Sequence, residues 1–263
     1  MFRLFLWLVF LLPQLLCGQL LYSLTDAPTL GRGGSGVAAT GLSALWTNPA
    51  GIAVGQRLGY GATVVQRYGL GELTTVSGGV VYRGFGLQLA TLGYGDYRAS
   101  RFGMVYGRAL SDRWRLGAEL VILRHLVVGF GDRTRILPGV GVQYAAESKL
   151  ILGLCVKNPA GSTGDLAIVG AGMSYYVSPT VALLTEAAVS PQRPLTARFG
   201  IAYSPVATVR LHLGYATDPG TIAVGASYRL AGDLRVAVAG SHHAQLGGVA
   251  AAGFYRNTLP PSW

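Results

Sequence analysis

The chain has 263 residues, 51% hydrophobic and 12% charged, with a mean hydropathy of +0.41, which excludes a disordered segment and is high for a soluble domain of this size. The formal charge of +10 comes from 21 Lys plus Arg against 11 Asp plus Glu. The arginines fall singly along the chain, without a basic run, so the footprint of a nucleic-acid binder is missing. With Cys17 and Cys155 as the only thiols, a cysteine-based metal cluster is excluded.

Residues 1–18 read as a signal peptide. Arg3 precedes an apolar run from Leu4 to Leu16 that is broken by Pro13, and about thirteen residues fall short of the twenty or so that cross a hydrocarbon core. Cleavage is expected near Cys17-Gly18-Gln19. Acylation of Cys17 is disfavoured because Leu16 is too large for the position before a lipidated cysteine. Removal of Cys17 leaves Cys155 as a lone, buried thiol.

Residues 19–56 lack any alternation and cannot build a core alone. They contain Gly31-Arg32-Gly33-Gly34-Ser35-Gly36, a short helix expected from Ala38 to Trp46, and then Asn48-Pro49-Ala50-Gly51. The glycine run is no phosphate loop, because no strand precedes it and no Gly-Lys-Ser/Thr element follows. Chain freedom for a segment that bends into a pore explains it better. Asn48-Pro49 reads as a rigid turn, with Asn capping and Pro fixing φ. The expected role of 19–56 is a hatch folded into the mouth of a barrel.

Residues 57–256 form that barrel. Runs of nine to twelve alternating residues, closed by Gly, Pro, Asp, Asn or Ser, recur about every fourteen residues. They predict strands at 58–68, 73–82, 84–93, 102–109, 114–126, 134–145, 149–157, 166–177, 180–189, 195–203, 207–216, 221–229, 234–241 and 246–255. The clearest alternates Val209, Leu211, Leu213 and Tyr215 with Thr208, Arg210, His212 and Gly214. Strand length matches a tilted bilayer crossing, and Tyr82, Tyr106, Tyr144, Tyr203, Tyr215, Tyr228 and Tyr255 fall late in their strands, as an interfacial girdle requires. The fold class is therefore all-β: an antiparallel transmembrane β-barrel of about fourteen strands with a short N-terminal hatch, followed by a tail at 257–263. An even count puts both termini on one side, expected to be periplasmic, and the location is the bacterial outer membrane. Connections after even strands are tight, while those after odd strands include longer ones at 94–101, 127–133 and 158–165.

Alternation also assigns a lumen face. Its charges, Arg115, Glu119, Lys157, Glu186, Arg198, Arg210, His212 and Arg235, are the candidate functional residues, as ion pairs bracing wall and hatch or as selectivity elements. A rim set of His125, Ser241, His242 and His243 has no nucleophile motif around it. No catalytic, cofactor or metal site is expected, and the protein is read as a non-enzyme.

Gly33-Gly34-Ser35-Gly36-Val37-Ala38-Ala39 followed by Ala44-Leu45-Trp46-Thr47-Asn48-Pro49-Ala50-Gly51-Ile52-Ala53 resembles the hatch of the PorV/PorQ family, within the wider FadL-like group of fourteen-stranded barrels. Leu152 to Asn158 and His243 with Leu246-Gly247 are similar to a strand and the last hairpin of that family. The resemblance spans residues 30 to about 255 and marks Gly33, Gly34, Gly36, Trp46, Asn48, Pro49 and Gly51 as hatch residues. It implies one of two roles: assisting protein secretion or surface assembly in a type IX secretion-like system, or, as the alternative, a FadL-like channel for hydrophobic small molecules. The implied partners are outer-membrane lipid, with secretion components or secreted cargo in the first role and a hydrophobic ligand in the second. Short outer loops depart from both patterns.

Overall fold

The computed structural model describes residues 24–54, 58–161, 167–191 and 193–257. The expected signal peptide with Cys17, and the tail beyond Asn257, lie outside the described residues. Fourteen strands follow in order: β1 (Gly59–Arg67), β2 (Leu70–Tyr82), β3 (Phe85–Tyr94), β4 (Tyr97–Ala109), β5 (Trp114–Val127), β6 (Gly131–Glu147) and β7 (Leu150–Lys157). The second half comprises β8 (Ile168–Ser178), β9 (Val181–Val189), β10 (Thr196–Val206), β11 (Val209–Thr217), β12 (Gly220–Arg229), β13 (Leu234–His243) and β14 (Gly247–Asn257). Each strand pairs antiparallel with its chain neighbours, and β1 pairs with β14 from Gly59↔Asn257 to Arg67↔Val249, so the sheet closes and leaves no edge.

Alternation decides which side chains meet lipid and which meet the lumen. In β13, Arg235, Ala237 and Ala239 are buried, whereas Val236 and Val238 are exposed. Around the ring the outward positions carry Leu87, Leu89, Val140, Leu154, Leu213 and Val224, all exposed. Such a continuous apolar exterior would drive aggregation in water and is stable in a bilayer. Among the described residues no helix is long and apolar enough to cross a membrane; the strands cross instead.

The barrel has two unlike ends. At one, the chain enters β1 and leaves β14; this is called the terminal end, and the other the loop end. Outward aromatics ring the terminal end, where Phe85 packs on Tyr106 with centroids 4.8 Å apart and Trp114 on Tyr144 at 4.6 Å. Tyr82, Tyr203 and Tyr228 are exposed there, and Tyr215 is exposed toward the loop end. Tyr255 departs from the expected girdle. It sits one residue out of phase, on the lumen face of β14, and its hydroxyl donates to Ser227 Oγ at 3.4 Å.

Two of the three expected outer loops are strand. Tyr94 pairs with Tyr97 across a Gly95-Asp96 turn, and Val127 pairs with Gly131, so β4, β5 and β6 run to 13, 14 and 17 residues. The ribbon is favoured because polar residues there can pair across strands: Arg124 bonds Asp132 at 2.5 Å. The third connection runs from Asn158 to Ala167, with residues 162–166 outside the described set. Turns at the loop end are also tight in places, as at Tyr68-Gly69, so connection length alone does not orient the barrel.

Candidate functional site: a plugged lumen

Residues 24–54 enter the barrel and fill its waist. Helix α1 (Ala27–Gly31) starts at Asp26, whose Oδ1 accepts from Thr29 N at 2.8 Å, with Pro28 in the first turn. Gly33 and Gly34 then turn the chain with φ of 68° and 81°, a region open to glycine at little cost. The expected helix at Ala38–Trp46 is shorter and broken: a 3₁₀ turn at Gly41–Ser43 leads into α2 (Ala44–Thr47). Gly41, at φ 79°, cannot continue a helix from Ala38. Asn48 caps a second 3₁₀ turn, Pro49–Ala53, by accepting from Ala50 N at 3.0 Å.

So little regular structure leaves many backbone groups without partners inside the plug, and buried groups of this kind need them. The barrel wall supplies them. Glu186 Oε2 accepts from Gly36 N and Val37 N at 2.8 and 2.9 Å, and its other oxygen pairs with Arg198. Gln143 Nε2 donates to Ala39 O at 2.8 Å, Lys157 Nζ to Trp46 O at 2.7 Å, and Gln88 Nε2 to Leu45 O. Glu119 stands between Arg101 and Lys157 at 3.7 and 3.6 Å, and Arg101 Nη2 also donates to Gln88 Oε1 at 2.7 Å. Asn48 reverses the direction: wholly buried in the plug, its Nδ2 donates to Val37 O at 2.7 Å and reaches Val142 O and Leu154 O at 3.3 Å.

Close approach explains the small residues of the wall. A Cβ at Gly141 would collide with Asn48 Oδ1, one at Gly117 with Pro49, one at Gly153 with Val37 O, and one at Gly214 with Gly33. Within the plug, Gly51 sits against Ala39 O and Ala44, and Gly36 against Thr47, whose Oγ1 donates to Gly36 O at 2.7 Å. Leu45 and Ile52, both fully buried, join Val81, Val105 and Val121 in an apolar cluster that also holds Trp46.

Of the eight lumen charges read from the sequence, Glu119, Lys157, Glu186 and Arg198 converge on the plug. Arg210, His212 and Arg235 line a chamber of about 450 Å³ at the terminal end, together with Arg32, Arg229 and Asp233. Arg210 Nε donates to Ser204 Oγ at 3.1 Å, and Arg235 Nη2 to Ala207 O at 3.3 Å. Arg115 faces a neighbouring chamber of about 550 Å³ with Arg113 and Lys149. Burial pushes the Arg32 guanidinium down from its ordinary value; Asp26 opposes the shift and Arg210 adds to it.

Sequence reasoning missed Gln88 and Gln143 because it searched the inward positions for charge alone, and Arg101 because it placed that residue in the 94–101 connection rather than in β4. The signal was present: Gln88 and Gln143 are single amides between outward apolar residues, Leu87 and Leu89 or Val142 and Tyr144.

On the loop side of the plug lies a smaller pocket of about 160 Å³, lined by Leu24, Val37, Trp46, Cys155 and Ile168, with Lys157, Glu186 and Arg198 at one edge. The rim histidines do not form a centre. His125 Nδ1 bonds Tyr97 OH at 3.1 Å, His243 Nδ1 accepts from Gln245 N and Leu246 N, and β5 and β13 stand nearly opposite in the ring. Among the described residues no group of three or more His, Cys, Asp or Glu could hold a metal ion.

No protein-family model matches the sequence, and no curated protein matches it. Among solved structures it is similar to the CymD monoaromatic hydrocarbon channel, with a TM-score of 0.66 at 14% identity over 90% of this chain and 98% of that one. The Ralstonia pickettii toluene transporter TbuX gives 0.65 at 12% identity over 90% and 99%, and a Pseudomonas aeruginosa FadL homologue 0.62 at 12% over 89% and 98%. At these identities the likeness is one of fold alone: a closed, fourteen-stranded antiparallel barrel. CymD is a channel and TbuX a transporter.

Proposed function

We propose that the protein is an outer-membrane channel that admits small hydrophobic molecules past a movable plug, with the entry to β1 and the exit of β14 on the periplasmic side. The observation that carries this reading is the loop-side pocket, whose apolar lining of Leu24, Val37, Trp46 and Ile168 includes plug residues and sits beside the polar clamps Lys157, Glu186 and Arg198. A ligand settling there displaces water from Leu24, Trp46 and Ile168, and its binding energy acts directly on the element that blocks the lumen. The plug is held by a handful of polar clamps, Glu186, Gln143, Lys157 and Gln88, whose hydrogen bonds can be exchanged for water one at a time. The fold shared with a hydrocarbon channel and a toluene transporter supports the same reading.

The secretion-partner role rests on the resemblances at Leu152 to Asn158, at His243 with Leu246-Gly247 and, most strongly, at the hatch residues Asn48-Pro49-Ala50-Gly51. In this structure those hatch residues are consumed in holding the plug. The channel role therefore has the stronger support.

The test is uptake of naphthalene by cells with an intact lipopolysaccharide leaflet, comparing cells that make the protein with cells that lack it, alongside equilibrium binding to purified barrel. Saturable binding, weakened at least ten-fold by Ile168→Asn, and faster uptake are expected. Equal uptake with and without the protein would refute the channel reading; co-purification of secretion components would then favour the other role.

A further inference from the structure

The charge in the lumen is unevenly matched. On the loop side the cations of the plug clamps have acids: Arg101 and Lys157 share Glu119, and Arg198 takes Glu186. In the 450 Å³ chamber at the terminal end, Arg32, Arg210, Arg229 and Arg235 face one carboxylate, Asp233. The next acid, Asp26, is occupied by Thr29 N and Ser43 Oγ at 2.8 and 2.5 Å. His212 lines the same chamber, only 5% exposed, and neither ring nitrogen has a hydrogen-bond partner among the described residues. Arg32 Nε, Arg229 Nε and Arg235 Nη1 are likewise buried without partners.

Guanidinium groups crowded together repel, and buried donors left without acceptors lose their hydration without a replacement bond. An anion removes both costs at once. We propose that this chamber binds a phosphate monoester. Four guanidiniums against one carboxylate leave room for a dianion, which a single carboxylate group would not supply. Three phosphate oxygens suit the planar forks of several arginines, and His212 adds an N–H in either of its neutral tautomers. The volume lies within the range of small-molecule sites, so the phosphate arrives with an organic body attached, held against Leu184 and Ala202 of the chamber wall. Asp233 and Asn257, close to the chain ends of β13 and β14, place the chamber at the terminal mouth. It is separated by the plug from the apolar pocket and does not depend on what that pocket admits.

Isothermal titration of the full-length barrel in neutral-lipid nanodiscs with glycerol 3-phosphate tests this. Saturable binding is expected, weakened at least ten-fold in the double variant Arg229→Gln/Arg235→Gln and unchanged in Arg113→Gln, which alters the neighbouring chamber. Binding seen only with phosphatidic acid in the nanodisc would assign the same site to a lipid headgroup rather than a soluble ester. Equal binding of acetate and glycerol 3-phosphate at matched ionic strength, or none of either, overturns the proposal. Should the double variant fail to fold, thermal stabilisation of the unmodified protein by glycerol 3-phosphate above that given by acetate reads the same difference, and its absence overturns the proposal equally.

Discussion

Replacing Asn48 by alanine should release the plug and leave the barrel standing. The side chain is fully buried and serves both plug and wall: it accepts from Ala50 N at 3.0 Å and donates to Val37 O at 2.7 Å, with longer contacts to Val142 O and Leu154 O. Loss of the cap costs about 1 kcal/mol. Val37 O keeps Gln143 Nε2 at 3.2 Å, so the carbonyl is weakened rather than orphaned, which adds about 1–2 kcal/mol with the lost wall contacts. The sum, roughly 2–3 kcal/mol, bears on docking of residues 24–54, because the strand ladders involve Asn48 in no pairing. At about 1.4 kcal/mol per decade, the plug should open some 30- to 150-fold more often. Hydrogen exchange of amides from Ala39 to Ile52 in nanodiscs measures that factor directly. Plug amides as protected as in the unmodified protein, with only Ala50 faster, would refute the reasoning and reduce Asn48 to a local cap.

Three further outcomes are expected. Gly117→Ala places a methyl against Pro49 and should displace the plug and raise solute leakage, whereas Gly240→Ala, whose nearest neighbour stands at 3.7 Å, should leave leakage unchanged in the same liposome assay. Glu186→Gln removes the charge that holds Gly36 N, Val37 N and Arg198, and should weaken plug docking by about 1.5–3 kcal/mol, read as faster proteolysis between Arg32 and Thr47. Cysteines at Gly95 and Gly161 should react with an impermeant maleimide on intact cells while those at Asp112 and Gly232 stay silent; the opposite pattern would reverse the proposed orientation.

The wall was legible in the sequence because period-two alternation is a one-dimensional signal with a direct spatial meaning. The alternation of β11, Val209 to Tyr215, names its lipid face without any knowledge of its neighbours. Tyr255 shows the limit: lateness in a strand was read as outward placement, but parity put it in the lumen. The hydrophobic and polar residues of β4 to β6 blurred the loop boundaries for a related reason, since a polar ribbon beyond the membrane lacks the contrast that marks a strand. The plug was legible as a unit and illegible in detail. Its order comes from partners far along the chain, Glu186 for Gly36 and Gln143 for Ala39, and no local pattern encodes which wall residue meets which carbonyl. That Asn48 would also hold three carbonyls, beyond capping a turn, could not be read from its neighbours.

The seam between β1 and β14 has a bearing on assembly. Gly59 meets Asn257 there, so the chain's most distant described strands are the ones that close the ring. The plug lies immediately before β1, yet its partners belong to strands synthesised later, through β14. Long-range closure carries the largest entropic cost and gains its contacts last. A chain that seals this seam with residues 24–54 outside has no lateral route by which to correct the error, so lodging of the plug must precede or accompany the final zipping of the ring. The wall glycines then have a second use during biogenesis: by leaving the waist smooth, they keep a lodging space free while the cylinder is still an open sheet.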